Sequence, residues 1–177
     1  VQIHQIRTRV SDEWSVFFAQ IIQELLPSQK ITIEYLPGFD IEQGLLQTLI
    51  DSRVRDKERG HSLYGIHRAD LRFRTAHGTA EQTLSRGQKK LLILALKLSQ
   101  MKMLYAKGCA SVVLLDDMTA ELDSTAQARL IALLIALNSQ IFMTTVDLVA
   151  VQSVLEDVDF QTAFFHLQDG CMVKDAV

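Results

Sequence analysis

Between residues 85 and 168 the chain switches repeatedly between helical periodicity and short apolar runs of β-forming residues, and few folds accommodate that pattern. Strand, helix, strand, helix, strand in close succession predicts α/β architecture with a parallel sheet and flanking helices. A long helix is expected from Ser85 to about residue 106, with Leu91, Leu92, Leu94, Ala95 and Leu98 on its apolar side and Gly108 as its stop. Residues 112–115 form a continuous apolar run, as expected for a strand covered on both faces. A helix over 124–137, a strand over 141–145, a helix over 149–155, a strand over 163–167 and a turn at Asp169-Gly170 complete the alternation.

The first half has a different texture. Ser11 is placed to cap a helix carrying Trp14, Phe17, Phe18, Ile21, Ile22, Leu25 and Leu26 at three- and four-residue spacing up to Pro27. That aromatic stripe is a packing face. A strand over 31–36 closed by Pro37-Gly38, a helix over 41–55, a charged stretch to Gly60 and an alternating strand over 71–75 ending at His77-Gly78 follow. At 177 residues, 48% hydrophobic and 22% charged, the chain has a soluble globular balance, which excludes wholesale disorder. No apolar run reaches the roughly 20 residues that span a bilayer, so no membrane association is expected. Cys109 and Cys171 lack paired or CxxC spacing, which predicts a reducing, cytoplasmic compartment. The net charge of −3 conceals an asymmetry: residues 1–110 hold 16 Lys/Arg against 11 Asp/Glu, and residues 111–177 hold 2 against 10. The basic residues concentrate at Arg53, Arg55, Lys57, Arg59, Arg68, Arg72 and Arg74, then Arg86, Lys89 and Lys90. They form either a surface for a phosphate backbone or a solvated face.

Three stretches carry chemistry. The run 112–115 ends in Asp116-Asp117, which puts two carboxylates at the C-terminal edge of a strand, where open α/β sheets bind ligands. One acid there can hold Mg²⁺ on phosphate oxygens, and the other can orient or deprotonate a water. The competing reading is a pair of turn formers or helix caps. In Leu84-Ser85-Arg86-Gly87-Gln88, a hydroxyl and a glycine stand at a helix N-terminus, whose free N–H groups favour an anion; Ser85 is equally a good N-cap. Ala120-Glu121-Leu122-Asp123 follows, leading into the next helix.

In this order and spacing, LSRGQ, a long helix, an apolar strand ending in Asp-Asp and AELD resemble the signature motif, Walker B strand and D-loop in the C-terminal part of an ABC-type ATPase head. Within that superfamily the chain looks most like the RecF family, bacterial recombinational-repair ATPases related to SMC proteins. Tyr64-Gly65-Ile66-His67-Arg68-Ala69-Asp70-Leu71, the stretch 85–92, and Leu114-Leu115-Asp116-Asp117 point to that branch. The resemblance implies a helical-arm segment over residues 1–60 and an ATPase head over 61–177. It implies ATP and Mg²⁺ as cofactors, with Asp116 serving the metal and Asp117 standing where most such proteins carry a catalytic Glu, a shorter acid that suggests slow hydrolysis. Ser85, Arg86, Gly87 and Gln88 would meet the γ-phosphate of an ATP held by the other subunit of an ATP-dependent homodimer, and Asp123 would communicate across it. Double-stranded DNA and recombination-mediator proteins are the implied partners, and DNA repair and replication restart the implied role.

Two departures qualify this. There is no GxxxxGK[ST], so the P-loop that cradles the phosphates is missing. The chain is therefore expected to be a C-terminal part, or a partner that borrows the lobe, and to be inactive alone. Val146 and Asp147 also stand where transporter ATPases place a switch histidine, and His166 lies on a later strand. Two other readings stay open: another arm-bearing ABC ATPase of SMC-like or phage-defence type, and a non-enzymatic dimerisation or DNA-docking module.

Overall fold

A computed structural model describes residues 2–117, 122–137, 139–146, 148–155, 161–168 and 170–174. Helix α1 (Gln2–Leu25) packs along α4 (Arg86–Ala106), the principal helix pair of the fold. Phe18, Ile21, Ile22 and Leu25 of α1 join Leu91, Leu92, Ala95 and Leu98 of α4 in one buried cluster. To it α5 (Ser124–Ala136) adds Ala126, Leu130, Ile131, Leu133 and Leu134. The spacing of these residues, three or four apart in each helix, is what gives each helix a single apolar face. Trp14 closes one end of the α1–α4 contact, its buried Nε1–H donating to Ser99 Oγ at 2.7 Å.

Helix α1 begins earlier than the sequence suggests. Ser11 is not a cap but a buried mid-helix residue, 8% exposed. The exposed Ile3, Ile6 and Val10 show why: the first three turns have little buried apolar face, so periodicity is legible only beyond Ser11.

Strands β1 (Thr32–Leu36), β2 (Asp70–Thr75) and β3 (Gly78–Thr79) form an antiparallel sheet, with Ile33 opposite Phe73 and Leu36 opposite Asp70. Between β1 and β2 lies α2 (Leu45–Arg59), displaced by a turn from the expected 41–55. Asp40 Oδ1 accepts from the N–H groups of Glu42 and Gln43, and Gly44 sits at φ 83, so the helix starts only after that turn. It continues through the charged stretch to a left-handed Gly60. Asp56 pins its end, accepting from Leu63 N–H at 3.0 Å, Ser52 Oγ at 3.0 Å and Ser62 Oγ at 3.3 Å.

A short helix α3 (Ala80–Thr83) precedes α4. Strand β4 (Val112–Leu115) pairs in parallel with β5 (Gln140–Met143), Val113 opposite Ile141 and Leu115 opposite Met143. Helix α5 makes the crossover between them, and α6 (Leu148–Leu155) packs on α5. The parallel pair is the expected α/β unit, but it is covered on one face only. Val113 is buried, whereas Val112 is 56%, Leu114 76% and Phe142 53% exposed. The last expected strand, β6 (Phe165–Gln168), does not extend this ladder: it turns at Gly170 into an antiparallel hairpin with β7 (Cys171–Lys174). No described helix is long and apolar enough to cross a membrane.

Two stability predictions follow from the packing. Phe18→Ala should lower the unfolding free energy by about 3–5 kcal/mol, read from urea denaturation, since a fully enclosed ring leaves a cavity. Asp56 is held below the usual carboxylate range, first by the Leu63 N–H and then by the Ser52 and Ser62 hydroxyls and Arg55, against the opposing effect of desolvation. Its contribution is therefore fully present above the unfolded-chain value of about 3.9 and lost as pH falls through the lower folded value. The urea midpoint of Asp56→Ala should lie below that of the wild type at pH 7, and the gap should close as pH is lowered from about 4.

Candidate functional site

The acid pair stands where β4 ends. Thr144, the residue after β5, extends the ladder by one bond, its N–H donating to Leu115 O at 2.9 Å. Its hydroxyl then makes two contacts at once. It donates to Asp116 Oδ1 at 2.6 Å and accepts from the backbone N–H of Asp117 at 2.9 Å. Asp117 lies at φ 49 in the left-handed region, a conformation that costs a non-glycine residue roughly 1–3 kcal/mol and that Asp tolerates better than branched residues. Lys90 Nζ donates to its carbonyl at 3.5 Å, so α4 reaches the same turn. Both carboxylates are exposed, and the bond to Thr144 engages only one oxygen of Asp116.

Ser85 is the N-cap of α4 in a complete capping box. Gln88 N–H donates to Ser85 Oγ at 3.3 Å, and Ser85 N–H donates to Gln88 Oε1 at 2.9 Å. Because Oγ acts as acceptor in that box, its proton remains to be donated outward. The N–H groups of Arg86 and Gly87, the first two of the helix, have no partner within it. Ser85 and Arg86 are exposed and Gly87 half-buried, so an anion has access to this end and meets a positive dipole, a hydroxyl donor and a guanidinium. Asp123 makes a different contact: its carboxylate caps α5, accepting from Ala126 N–H at 2.8 Å. Of the rest of the expected D-loop, Leu122 is buried in the core and Ala120 and Glu121 lie outside the described residues, as does Asp147.

The stretch before the signature is a tied turn. Gly65 N–H donates to Gly38 O at 2.8 Å, and Gly38, at φ 80, lies so close that a Cβ there would fall on Gly65 O and the Arg68–Ala69 peptide. Arg68 donates to Ser62 O through Nη2 at 2.9 Å, and Arg7 donates to Ile66 O. Arg74 pairs with Glu34 at 2.8 Å. Arg68 and Arg74 are thus engaged within the chain, whereas Arg53, Arg55, Lys57 and Arg59 are exposed around α2.

No group of three or more His, Cys, Asp or Glu converges among the described residues. The acid turn instead offers one or two carboxylates at a strand end. That donor set fits Mg²⁺ carried in with phosphates and water, the arrangement this ion prefers to an all-protein cage. Thr144 is the member of the site that sequence reading misses, because nothing local in 144 points to a partner 28 residues away. The pairing of Gln88 with Ser85 in a capping box is also missed, although the Ser-x-x-Gln spacing is the signal that finds it.

A parallel strand ending in paired carboxylates, a neighbouring strand locked to it, and a capped glycine-bearing helix in front of a helical core are parts of an ABC/SMC-type head fold. The chain belongs to the RecF/RecN/SMC N-terminal domain family, whose model matches residues 11–171. The DNA replication and repair protein RecF of Acinetobacter baumannii strain SDF is 50% identical over 168 residues, covering 95% of this chain and 47% of that protein. RecF of Marinomonas sp. strain MWYL1 is 38% identical over 146 residues, covering 82% and 40%. The chain thus spans about half the length of the curated relatives it matches. Among solved structures, the recombination mediator protein RecF with ATP, of the RecFOR pathway, superposes with a TM-score of 0.71 at 23% identity, over 99% of this chain and 47% of that one. An SMC head bound to the C-winged helix domain of ScpA gives 0.63 at 15% identity, over 98% and 44%. These likenesses establish the fold.

The capping box predicts that Ser85→Ala costs about 1 kcal/mol in urea unfolding, and that Ser85→Asp, a comparable N-cap, recovers most of it.

Proposed function

We propose that this chain is half of the nucleotide site of a RecF-type ATPase that acts in DNA repair and replication restart. The observation that carries the reading is the Asp116–Asp117 turn at the C-terminal edge of the parallel pair, locked by Thr144. Asp116 would hold the Mg²⁺ that accompanies ATP, directly or through water. That ion, when bound, neutralises charge on the phosphate oxygens. Asp117 would orient a water for attack on the γ-phosphate and accept its proton; as an aspartate in the place of a glutamate it reaches less far, so hydrolysis is slow. Ser85 would donate its spare proton, and Gly87 its N–H, to the γ-phosphate of an ATP on a second copy, with Arg86 adding charge and Gln88 holding the helix end in shape. Asp123 would sense the partner across the same interface.

In this arrangement ATP is a contact between two subunits, and its higher affinity for the closed pair drives dimerisation. The P-loop would come from a segment of the longer protein outside this sequence, and the open face of Val112, Leu114 and Phe142 supports a lobe packing there. Residues 1–60 would form the returning part of a helical arm, anchored on the head through Phe18, Ile21 and Ile22 of α1. Double-stranded DNA is the proposed partner, with Arg53, Arg55, Lys57 and Arg59 available to phosphates and recombination mediators loaded after binding.

The test is ATP turnover and ATP-dependent dimerisation of the P-loop-containing protein, with and without duplex DNA. Slow turnover that rises with DNA, and is abolished by Asp116→Asn, is expected; the 177-residue chain alone should show none. Ser85→Asp should keep the fold yet lose dimerisation, because it sets a carboxylate against phosphate. Normal ATP-dependent dimerisation of that variant would sink the signature assignment, and turnover indifferent to DNA would move the chain to another arm-bearing branch.

A further inference from the structure

We infer that Thr144 is a positioning residue for the acid pair, the device that makes Asp116 and Asp117 act as one unit. This inference rests on the ATPase reading above and goes beyond it by giving Thr144, there only the lock on the turn, a role in the reaction. A threonine hydroxyl has one proton and two lone pairs, so its two bonds here must differ in sense. The proton goes to Asp116 Oδ1 at 2.6 Å, and a lone pair receives Asp117 N–H at 2.9 Å. The first bond is to a carboxylate, the stronger kind, and it fixes which oxygen faces β5 and which remains for a ligand. The second holds the backbone of Asp117 in its left-handed conformation, φ 49, which an L-residue does not keep without support.

The hydroxyl is itself held. The main chain of Thr144 is fixed by its N–H bond to Leu115 O at 2.9 Å, and the ladder from Val112–Gln140 to Leu115–Met143 leads directly into it. A bound phosphate group that moves Asp116 therefore acts on Asp117 through one oxygen atom, and the reverse holds. Lys90 of α4, at 3.5 Å from Asp117 O, links the same turn to the helix whose N-terminus would meet the second nucleotide. Thr144 thus sets the orientation of the group that touches the ligand without touching the ligand itself.

The experiment uses the P-loop-containing protein and two variants. Thr144→Val keeps the branched shape and deletes both bonds, whereas Thr144→Ser keeps the hydroxyl. Positioning by the hydroxyl predicts that Thr144→Val lowers kcat by about 10–100-fold, the usual loss for such partners, while KM for ATP stays within roughly threefold. The Asp117 amide, followed by hydrogen exchange, should lose protection in the same variant. Thr144→Ser should restore both. Wild-type turnover and exchange in Thr144→Val would overturn the inference, as would a Ser variant as defective as Val when both melt like the wild type. If Thr144→Val fails to fold, Thr144→Ser decides alone: near-normal kcat supports the hydroxyl, and a Val-like loss of activity refutes it. Asp116→Asn separates the two levels, since full turnover in that variant refutes the ATPase site itself and not the coupling.

Discussion

The packing of α4 against α1 is the constraint on which the rest depends. Leu91, Leu92, Ala95 and Leu98 put one face of α4 into the core beside Phe18, Ile21, Ile22 and Leu25, and that burial fixes both the axis and the rotation of the helix. Once those are fixed, its N-terminus has a fixed direction, so Ser85 and Gly87 present donors at a determined place. Lys90, a little over a turn along, is carried to the carbonyl of Asp117 by the same placement. On the proposed function the capping box would serve a purpose beyond helix stability: it keeps the first turn from fraying, and a frayed turn could not hold its N–H groups converged on an anion.

How far the sequence announces this structure depends on how local each cause is. Helix α4, its capping serine and its stop at Gly108 are within a residue of expectation, because cap, periodicity and terminator all lie inside the element. The same holds for β4 and for α5, whose cap Asp123 stands immediately before it. Failures occur where the cause is remote. Ser11 looks like a helix start because the preceding turns bury few apolar residues, yet the helix runs through it. The apolar run at 112–115 implies cover on both faces, whereas only the side bearing Val113 is covered. Whether β6 joins the parallel ladder or folds into a hairpin depends on pairing energies that no window of residues contains. In the site, the carboxylates and the serine were legible from composition and spacing; the threonine that organises them was not.

The chemistry assembled here is a half-site in both senses. The acid turn supplies carboxylates but no loop to cradle phosphates, and the capped end of α4 supplies donors aimed outward from its own chain. Each feature is a plausible minor device alone: a strand-end turn, a helix cap. On the proposed function their joint value would lie in complementary charge, one anionic and one cationic in effect, so that a magnesium nucleotide would fit between two copies better than against either. The modest donor set at Asp116 and Asp117 is consistent with that division, since it gains a tight ligand field only when phosphate oxygens complete it.

The open face of the parallel pair has its own consequence for how this chain behaves in solution. Val112, Leu114 and Phe142 form a contiguous apolar strip on a two-stranded sheet whose outer edges carry no further strand among the described residues. Where no lobe covers it, such a surface would draw copies together by burial and edge pairing, with no nucleotide involved. Association of that kind strengthens in sulfate and weakens on cooling, as hydrophobic contact does, whereas a nucleotide-bridged pair is governed by the ligand. Self-association through this strip would therefore follow salt and temperature, whereas the proposed ATP-bridged dimer would follow nucleotide, and that difference tells the two apart.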